Sequence, residues 1–219
     1  MRGVLRALFW LTLALGLVVG VARATAIRWW RIPSDDPYLD ASIRPTLRGG
    51  DLVILWRLTA PDVGDVVLCP EPARDDTETG RIVIGRIVAE QRDKVEVRDG
   101  QILVNDKGFP IESRCAETNF QVQDPETDEE FEQHCSIERV GATLHKLGRI
   151  RAGMRAVPDR SAVDVNDGYV WLASDNRQLP YDSRDYGSVP RDECTETVIL
   201  RLVSAGGYFD VASRLTVID

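Results

Sequence analysis

Residues 81–104 read RIVIGRIVAEQRDKVEVRDGQILV, and this stretch sets the fold class. Arg81–Val88 is a short apolar run with Gly85 at its middle. Lys94-Val95-Glu96-Val97-Arg98 then alternates with period two, Asp99-Gly100 is a hairpin turn, and Gln101–Val104 is the returning strand. The same grammar continues outward. Asp51–Trp56, Asp65–Cys69 (stopped by Pro70), Tyr169–Leu172 and Val198–Val203 are further short apolar runs between turn residues. No long stretch with a 3.6-residue period follows the apolar N-terminus. The expected fold is mostly β, a β-barrel or packed sheets.

A chain of 219 residues accommodates one sizeable domain, or one domain with an inserted subdomain. Apolar residues at 43% and charged residues at 28% support a real core. The formal net charge of -8 argues against a nucleic-acid partner, which needs a basic footprint. Two histidines, four cysteines and no C-x-x-C pair exclude a multi-metal protein, a zinc ribbon and a thioredoxin-type site. Neither G-x-x-x-x-G-K-[ST] nor G-x-G-x-x-G occurs, so no fingerprint for nucleotide phosphates is present. Neither a metal nor a cofactor is expected.

Residues 7–22, ALFWLTLALGLVVGVA, carry no charge and are bounded by Arg6 and Arg23. Sixteen helical residues span about 24 Å, short of the ~30 Å hydrocarbon core. Snorkelling arginines and local thinning close that gap. Trp29 and Trp30 follow where an interfacial aromatic belt would sit. Arginines flank both ends, so the segment alone does not set orientation. Two readings stand open: a retained anchor, or a secretory signal cleaved near Ala22-Arg23-Ala24. Either sends the rest of the chain out of the cytoplasm.

Export fits the cysteines. Cys115 and Cys135 are expected to form a disulfide, closing a loop of favourable size worth ~3 kcal/mol in an oxidising compartment. For Cys69 and Cys194 the sequence does not decide between a bridge and two separate buried thiols. Glu117–Glu138 holds eight acids and no Lys or Arg. It is expected to be a solvated, partly disordered loop, the alternative being a docking surface for a basic partner.

Four boxes carry a family resemblance. Asp40-Ala41-Ser42-Ile43-Arg44-Pro45-Thr46-Leu47 followed by Gly50-Asp51-Leu52-Val53 resembles S-M-x-P-T…G-D-x-V of the type I signal peptidases (leader peptidases). PDVGDVVL at 61–68 resembles their next strand, and residues 82–105 resemble their lysine box and hairpin. Ser174-Asp175-Asn176-Arg177, Asp182-Ser183-Arg184 and Tyr186-Gly187-Ser188-Val189-Pro190 resemble G-D-N-R…D-S-R…W-G-x-V-P. The matches keep the family's order over most of 38–203. The resemblance implies a signal peptidase-like β core over 32–219, with 106–160 an inserted, partly acidic subdomain. It implies a membrane anchor over 1–31, retained, with the N-terminus inside. The chain would sit in the bilayer of the inner (cytoplasmic) membrane as a single-pass protein, its bulk on the periplasmic side. It would remove signal peptides from exported precursor proteins, which would bind as an added strand with small side chains in shallow pockets.

Carried over by position, Ser42 is the nucleophile of a Ser–Lys dyad, in which an apolar site keeps the lysine neutral. Ile43, Pro45, Thr46, Asp175, Asn176, Arg177, Asp182 and Arg184 form the scaffold of the site, with Asp182 and Arg184 as a structural charge pair. Three positions depart from the family. The lysine position is Gly85, so no general base is identified, and such help is typically worth ~10²–10⁴ in rate. The serine that hydrogen-bonds the lysine maps onto Pro180. The serine that helps hold the oxyanion maps onto Asp40, whose carboxylate would repel developing negative charge. His134 and His145 read as surface histidines, and Lys94, Lys107 and Lys146 fall outside the matched site. Asp40 could serve as base only with a raised pKa. Two functions therefore stand side by side: a signal peptidase-type endopeptidase, or a signal peptidase-like pseudoenzyme that binds exported chains or a partner without cleaving them.

Overall fold

The computed structural model describes residues 2–72, 80–149 and 157–218. A helix α1 (Arg2–Thr25) opens the chain, and strand β1 (Ile27–Arg31) and helix α2 (Pro37–Ile43) follow. Strands β2 (Leu52–Trp56), β3 (Val66–Pro70) and β4 (Ile82–Glu90) precede β5 (Lys94–Arg98), β6 (Gln101–Val104) and β7 (Lys107–Gly108). Next come β8 (Ile111–Gln123), β9 (Glu130–Val140), β10 (Thr143–Arg149), β11 (Arg160–Asp164) and β12 (Tyr169–Ala173). A short helix α3 (Ser183–Tyr186), β13 (Val189–Pro190), β14 (Glu196–Val203) and β15 (Thr216–Val217) complete it.

The class is mostly β, as the short apolar runs predict. An eight-stranded antiparallel sheet runs β1-β2-β14-β3-β4-β12-β13, with β15 added to β14, and curls into a half-barrel. The central strands β3 and β4 are buried on both faces, which is why they read as continuous apolar runs. One face packs Ile84 with Leu39, Ile43 and Leu47, while the other packs Val83 and Ile87 with Leu172 and Val189. The alternating segment forms the β5–β6 hairpin, whose Asp99 and Gly100 both take positive φ (51° and 71°). That hairpin belongs to a four-stranded sheet, β11-β5-β6-β7.

The acidic stretch is a correction. Glu117–Glu138 is not a disordered loop but the main part of a long hairpin, β8–β9, extended by β10 into a three-stranded sheet. Six of its eight acids face water, while Asp124 and Glu138 are buried along with Val122, Gln133 and Cys135. The Cys115–Cys135 disulfide predicted from spacing ties β8 to β9. Cys69 and Cys194, left open by the sequence, are also bridged, joining β3 to the turn that leads into β14. Within the segment 106–160, residues 150–156 lie outside those described.

The N-terminal helix is long and apolar enough over Gly3–Val21 to cross a membrane, and that span is 0% buried.

Candidate active site

Helix α2 carries Ser42 on its last turn. Asp36 caps it, its carboxylate accepting the Leu39 N–H at 3.0 Å, and Pro37 occupies the first turn. Pro45 ends it, because the residue before a proline is driven out of the helical region: Arg44 is extended at φ -70°, ψ 148°. The Arg44–Pro45 peptide is cis. Leu39 and Ile43, four apart, bury one side of α2 in the core with Ile84.

The backbone of the Ser42 turn is held by Asn176. Its main-chain N–H donates to Ser42 O (2.9 Å) and its Nδ2 to Ala41 O (2.9 Å). Asn176 Oδ1 in turn accepts from Gln133 Nε2 and from the N–H groups of Gln178 and Leu179, each at 3.1 Å. The Ser42 side chain is 0% exposed, and its hydroxyl donates back to Leu39 O at 2.9 Å. Among the described residues no lysine, histidine or carboxylate hydrogen-bonds that hydroxyl.

Thr46, four residues on, donates to Asp175 Oδ2 at 2.5 Å. Asp175 is gripped from the opposite side by Arg86, which makes a parallel pair of bonds at 3.0 Å from Nε and Nη2. His145 Nδ1 lies 3.1 Å from Asp175 Oδ1, and His145 Nε2 lies 3.1 Å from Glu138 Oε2. Arg177 reaches the same Glu138 oxygen at 2.5 Å. Burial pushes the Asp175 carboxyl up, but the charges of Arg86 and His145 overcome this and hold it far below the usual carboxylate range. Glu138 is likewise pushed up by burial and brought below its ordinary value by Arg177 and His145. Asp182 and Arg184 form the expected charge pair (2.9 and 2.7 Å), fully enclosed, and Asp182 also caps α3 and accepts the Ser174 N–H at 2.7 Å. Burial raises the Asp182 carboxyl and the Arg184 charge more than offsets it, leaving it low.

His145 is a second correction. It is 3% exposed and not a surface residue, because β10 places it directly opposite Glu138 of β9 on the inward face. His134 is exposed, as are Lys94, Lys107 and Lys146. Asp40, considered as an oxyanion-position residue or base, has both carboxylate oxygens engaged: Oδ1 accepts Gly49 N–H (2.6 Å) and Oδ2 accepts Arg44 Nε (3.0 Å). Ile43 and Thr46 line one small cavity together with Ile84, Gly85, Arg86 and Asp175. The α2 turn and the middle of β4 are therefore neighbours. A β-carbon on Gly85 would lie 2.9 Å from Leu172 Cβ, so the space a side chain would need there is filled. Pro180 borders a surface cleft with Tyr38, Leu179 and Arg184.

At its far end α2 is clasped to the start of β4. Arg81 Nε donates to Asp36 Oδ2 at 2.9 Å, and the guanidinium lies 4.5 Å over the Tyr181 ring. Tyr181 donates its hydroxyl to Glu71. On the side away from β3, Ile82–Gly85 have no strand partner among the described residues, since β12 pairs with β4 only from Arg86 onward.

Sequence reasoning missed Arg86, Gln133, Glu138 and His145 as members of this network. Arg86 had a readable signal: a charge inside the apolar run IVIGRIV needs a buried partner. Among the described residues no group of three or more His, Cys, Asp or Glu side chains is arranged to hold a metal ion.

The profile of the family described as signal peptidase, peptidase S26, matches residues 5–203. The chain belongs to the signal peptidase S26 family. This is a family of serine endopeptidases that act at membranes. Among curated proteins, the chain is 28% identical over 156 residues to "Probable thylakoidal processing peptidase 2, chloroplastic" of Arabidopsis thaliana. The match covers 68% of this chain and 32% of that protein, so the chain spans about a third of its relative's length.

Proposed function

We propose that this chain is a membrane-anchored serine endopeptidase of signal peptidase I type that removes signal peptides from exported precursors, with Ser42 as nucleophile. Helix α1 would hold it in the inner membrane by a single span, with the bulk of the chain on the periplasmic side. The observation that carries this reading is the double grip of Asn176 on the Ala41–Ser42 peptides, backed by Thr46, Asp175 and Arg86. A buried ionic support under one serine turn is costly to build and fits a residue whose position matters. The stretch Ile82–Gly85 of β4, without a partner on one side among the described residues, would give an extended precursor a strand to pair with.

In the reaction, the Ser42 oxygen bonds to the carbonyl carbon of the small terminal residue of the signal peptide. The C–N bond then breaks and the departing amine gains the proton lost by Ser42. Water hydrolyses the acyl-enzyme and restores the hydroxyl. The proton carrier is not assigned, since Gly85 stands at the lysine position. The likeness to a thylakoidal processing peptidase supports precursor processing as the task.

One observation favours the second reading, a pseudoenzyme that binds exported chains without cutting. The Ser42 hydroxyl is enclosed and bonded to Leu39 O, and among the described residues no base hydrogen-bonds it. The two are separated by incubating the full chain in detergent with a precursor carrying an A-x-A site. Cleavage lost in Ser42→Ala establishes the endopeptidase. Binding of the precursor without cleavage establishes the pseudoenzyme.

A further inference from the structure

The turn that follows Ser42 has two different faces. Ile43 and Thr46 line the small cavity beside Gly85 of β4. Arg44, Pro45 and Arg48 instead border a cleft of about 390 Å³, a size that accepts a peptide segment. Its other walls include Arg201 of β14 and Lys146 of β10. Four cations therefore line one cleft, in a chain whose formal net charge is -8. Among the described residues of the lining only Glu117 is acidic.

The four cations are not equally committed. Arg201 is buried and donates to Thr46 O (3.0 Å) and Ser213 O (2.6 Å), with Asp51 at 3.4 Å. Arg44 donates to Asp40 at 3.0 Å. The Arg48 guanidinium lies 3.8 Å from Asp51 and 3.7 Å from Asp210, longer than a hydrogen bond. Lys146 is exposed and has no ion-pair partner among the described residues. Lys146 and Arg48 thus carry positive charge that no carboxylate meets closely. Phe120 and Ile137, both half-buried, add apolar surface to the same lining. Apolar wall beside uncommitted cations suits an acidic peptide better than a small free anion.

The cleft is also within reach of the reacting position. Two peptide units separate Ser42 from Arg44, so their Cα atoms are at most about 7.6 Å apart. An extended chain advances about 3.3 Å per residue. A precursor with its scissile carbonyl at Ser42 and its upstream residues along Ile82–Gly85 therefore comes level with Arg44 about three residues past the cut.

We propose that this cleft takes the precursor segment that follows the scissile bond and selects acidic side chains there, about three to six residues on, with Lys146 as the chief contact and Arg48 as the second. The inference rests on the reading of Ser42 as the reacting position. It adds a preference on the downstream side of the cut, set by side chains outside the support of the Ser42 turn.

Dye-labelled precursors with an A-x-A site are titrated with the full-length Ser42→Ala chain in detergent, so that anisotropy reads binding whether or not the parent cleaves. Residues three to six beyond the site are Glu, Gln or Lys in otherwise identical precursors, and a fourth precursor carries the Glu run much farther downstream. The Glu precursor is expected to bind about fivefold more tightly than the Gln one at low salt, and the Lys precursor more weakly than either. The gap should close as salt is raised. Lys146→Arg should keep this order, Lys146→Glu should reverse it, and Arg48→Gln should narrow it. The precursor with distant Glu should match the Gln one. Equal binding of the Glu, Gln and Lys precursors overturns the inference and leaves precursor binding standing. No binding of any precursor to the folded chain removes the reading of the Ser42 turn as a precursor site, and the inference with it. An unchanged preference in folded Lys146→Glu, or the same gain from distant Glu, overturns the assignment to this cleft. An unchanged preference in folded Arg48→Gln overturns the part assigned to the arginine.

Discussion

Gly85 stands where the proposed function places the family's lysine, and its surroundings show why a side chain is not simply added there. With Leu172 Cβ 2.9 Å from where its β-carbon would be, any side chain must displace a well-packed core residue. Gly85→Ala is therefore expected to destabilise by about 1–3 kcal/mol, read as a lower urea midpoint at unchanged slope. Stability equal to wild type would show that Leu172 yields freely. Gly85→Lys alone should be worse, and Gly85→Lys with Leu172→Gly, which removes the β-carbon in the way, should recover part of the loss. That double variant is the background in which restored cleavage is worth measuring. The glycine at 85 was legible as a departure from the resembled box because its flanking residues match that box. The role of Asp40 was not. Its carboxylate bonds Gly49 N–H and Arg44 only because α2 winds this segment into a helix and the following loop doubles back over it. Asp40→Ser, which position alone suggests as a repair, is expected to cost about 1–3 kcal/mol through those lost bonds.

Helix α2 is the element that encloses Ser42, and it is fastened at both ends. Ile43 is packed in the core at one, and Asp36 is clasped by Arg81 at the other. The core end is buried, whereas the clasp is partly exposed, with Arg81 at 34% and Asp36 at 18%. Partly screened ion pairs contribute up to about 1 kcal/mol and cation–π contacts a similar amount, so the clasp is the weaker fastening. Arg81→Ala should therefore let α2 open more often, by roughly tenfold for each 1.4 kcal/mol lost. The reporter is a thiol at Ser42→Cys, buried in the parent and alkylated only on opening. Alkylation should be slow in the parent and faster with Arg81→Ala, and equal rates in two folded proteins would show that the clasp does not hold the helix. The helix has a readable start in Asp36-Pro37 and a readable stop at Pro45, but at seven residues it offers too little periodicity to announce itself. The β8–β9 hairpin was hidden for another reason. Its charge density argued for solvent, and only one side of it is wet: Gln133 and Cys135 turn inward, the first to Asn176 and the second to the disulfide.

At the scale of the whole molecule, one ionic hub fastens three parts of the fold. Arg86 belongs to the large sheet, Glu138 and His145 to the three-stranded sheet, and Asp175 and Arg177 to the turn after β12. Such a hub cannot be read from sequence, because its members come from separate strands and Glu138 and His145 fall in no recognisable box. It makes stability depend on pH with a definite sign. Asp175, Asp182 and Glu138 all have folded pKa values below their ordinary ones, so in the native state they stay ionised where the unfolded chain takes up protons. Their contribution is fully present above the ordinary carboxylate range, near pH 4, and is lost as pH falls below it. Unfolding free energy should be flat from neutral pH down to about 5, then fall by up to about 1.4 kcal/mol per pH unit for each of these groups. Asp175→Asn separates the hub from generic acid effects. At neutral pH it should cost about 3–5 kcal/mol, because it removes the carboxylate that takes two bonds from buried Arg86. Below pH 4 its stability should decline less steeply than the parent's, since one proton has left the balance. Urea titrations of both proteins at a series of pH values test this: parallel acid limbs would place the acid-labile contact somewhere other than Asp175.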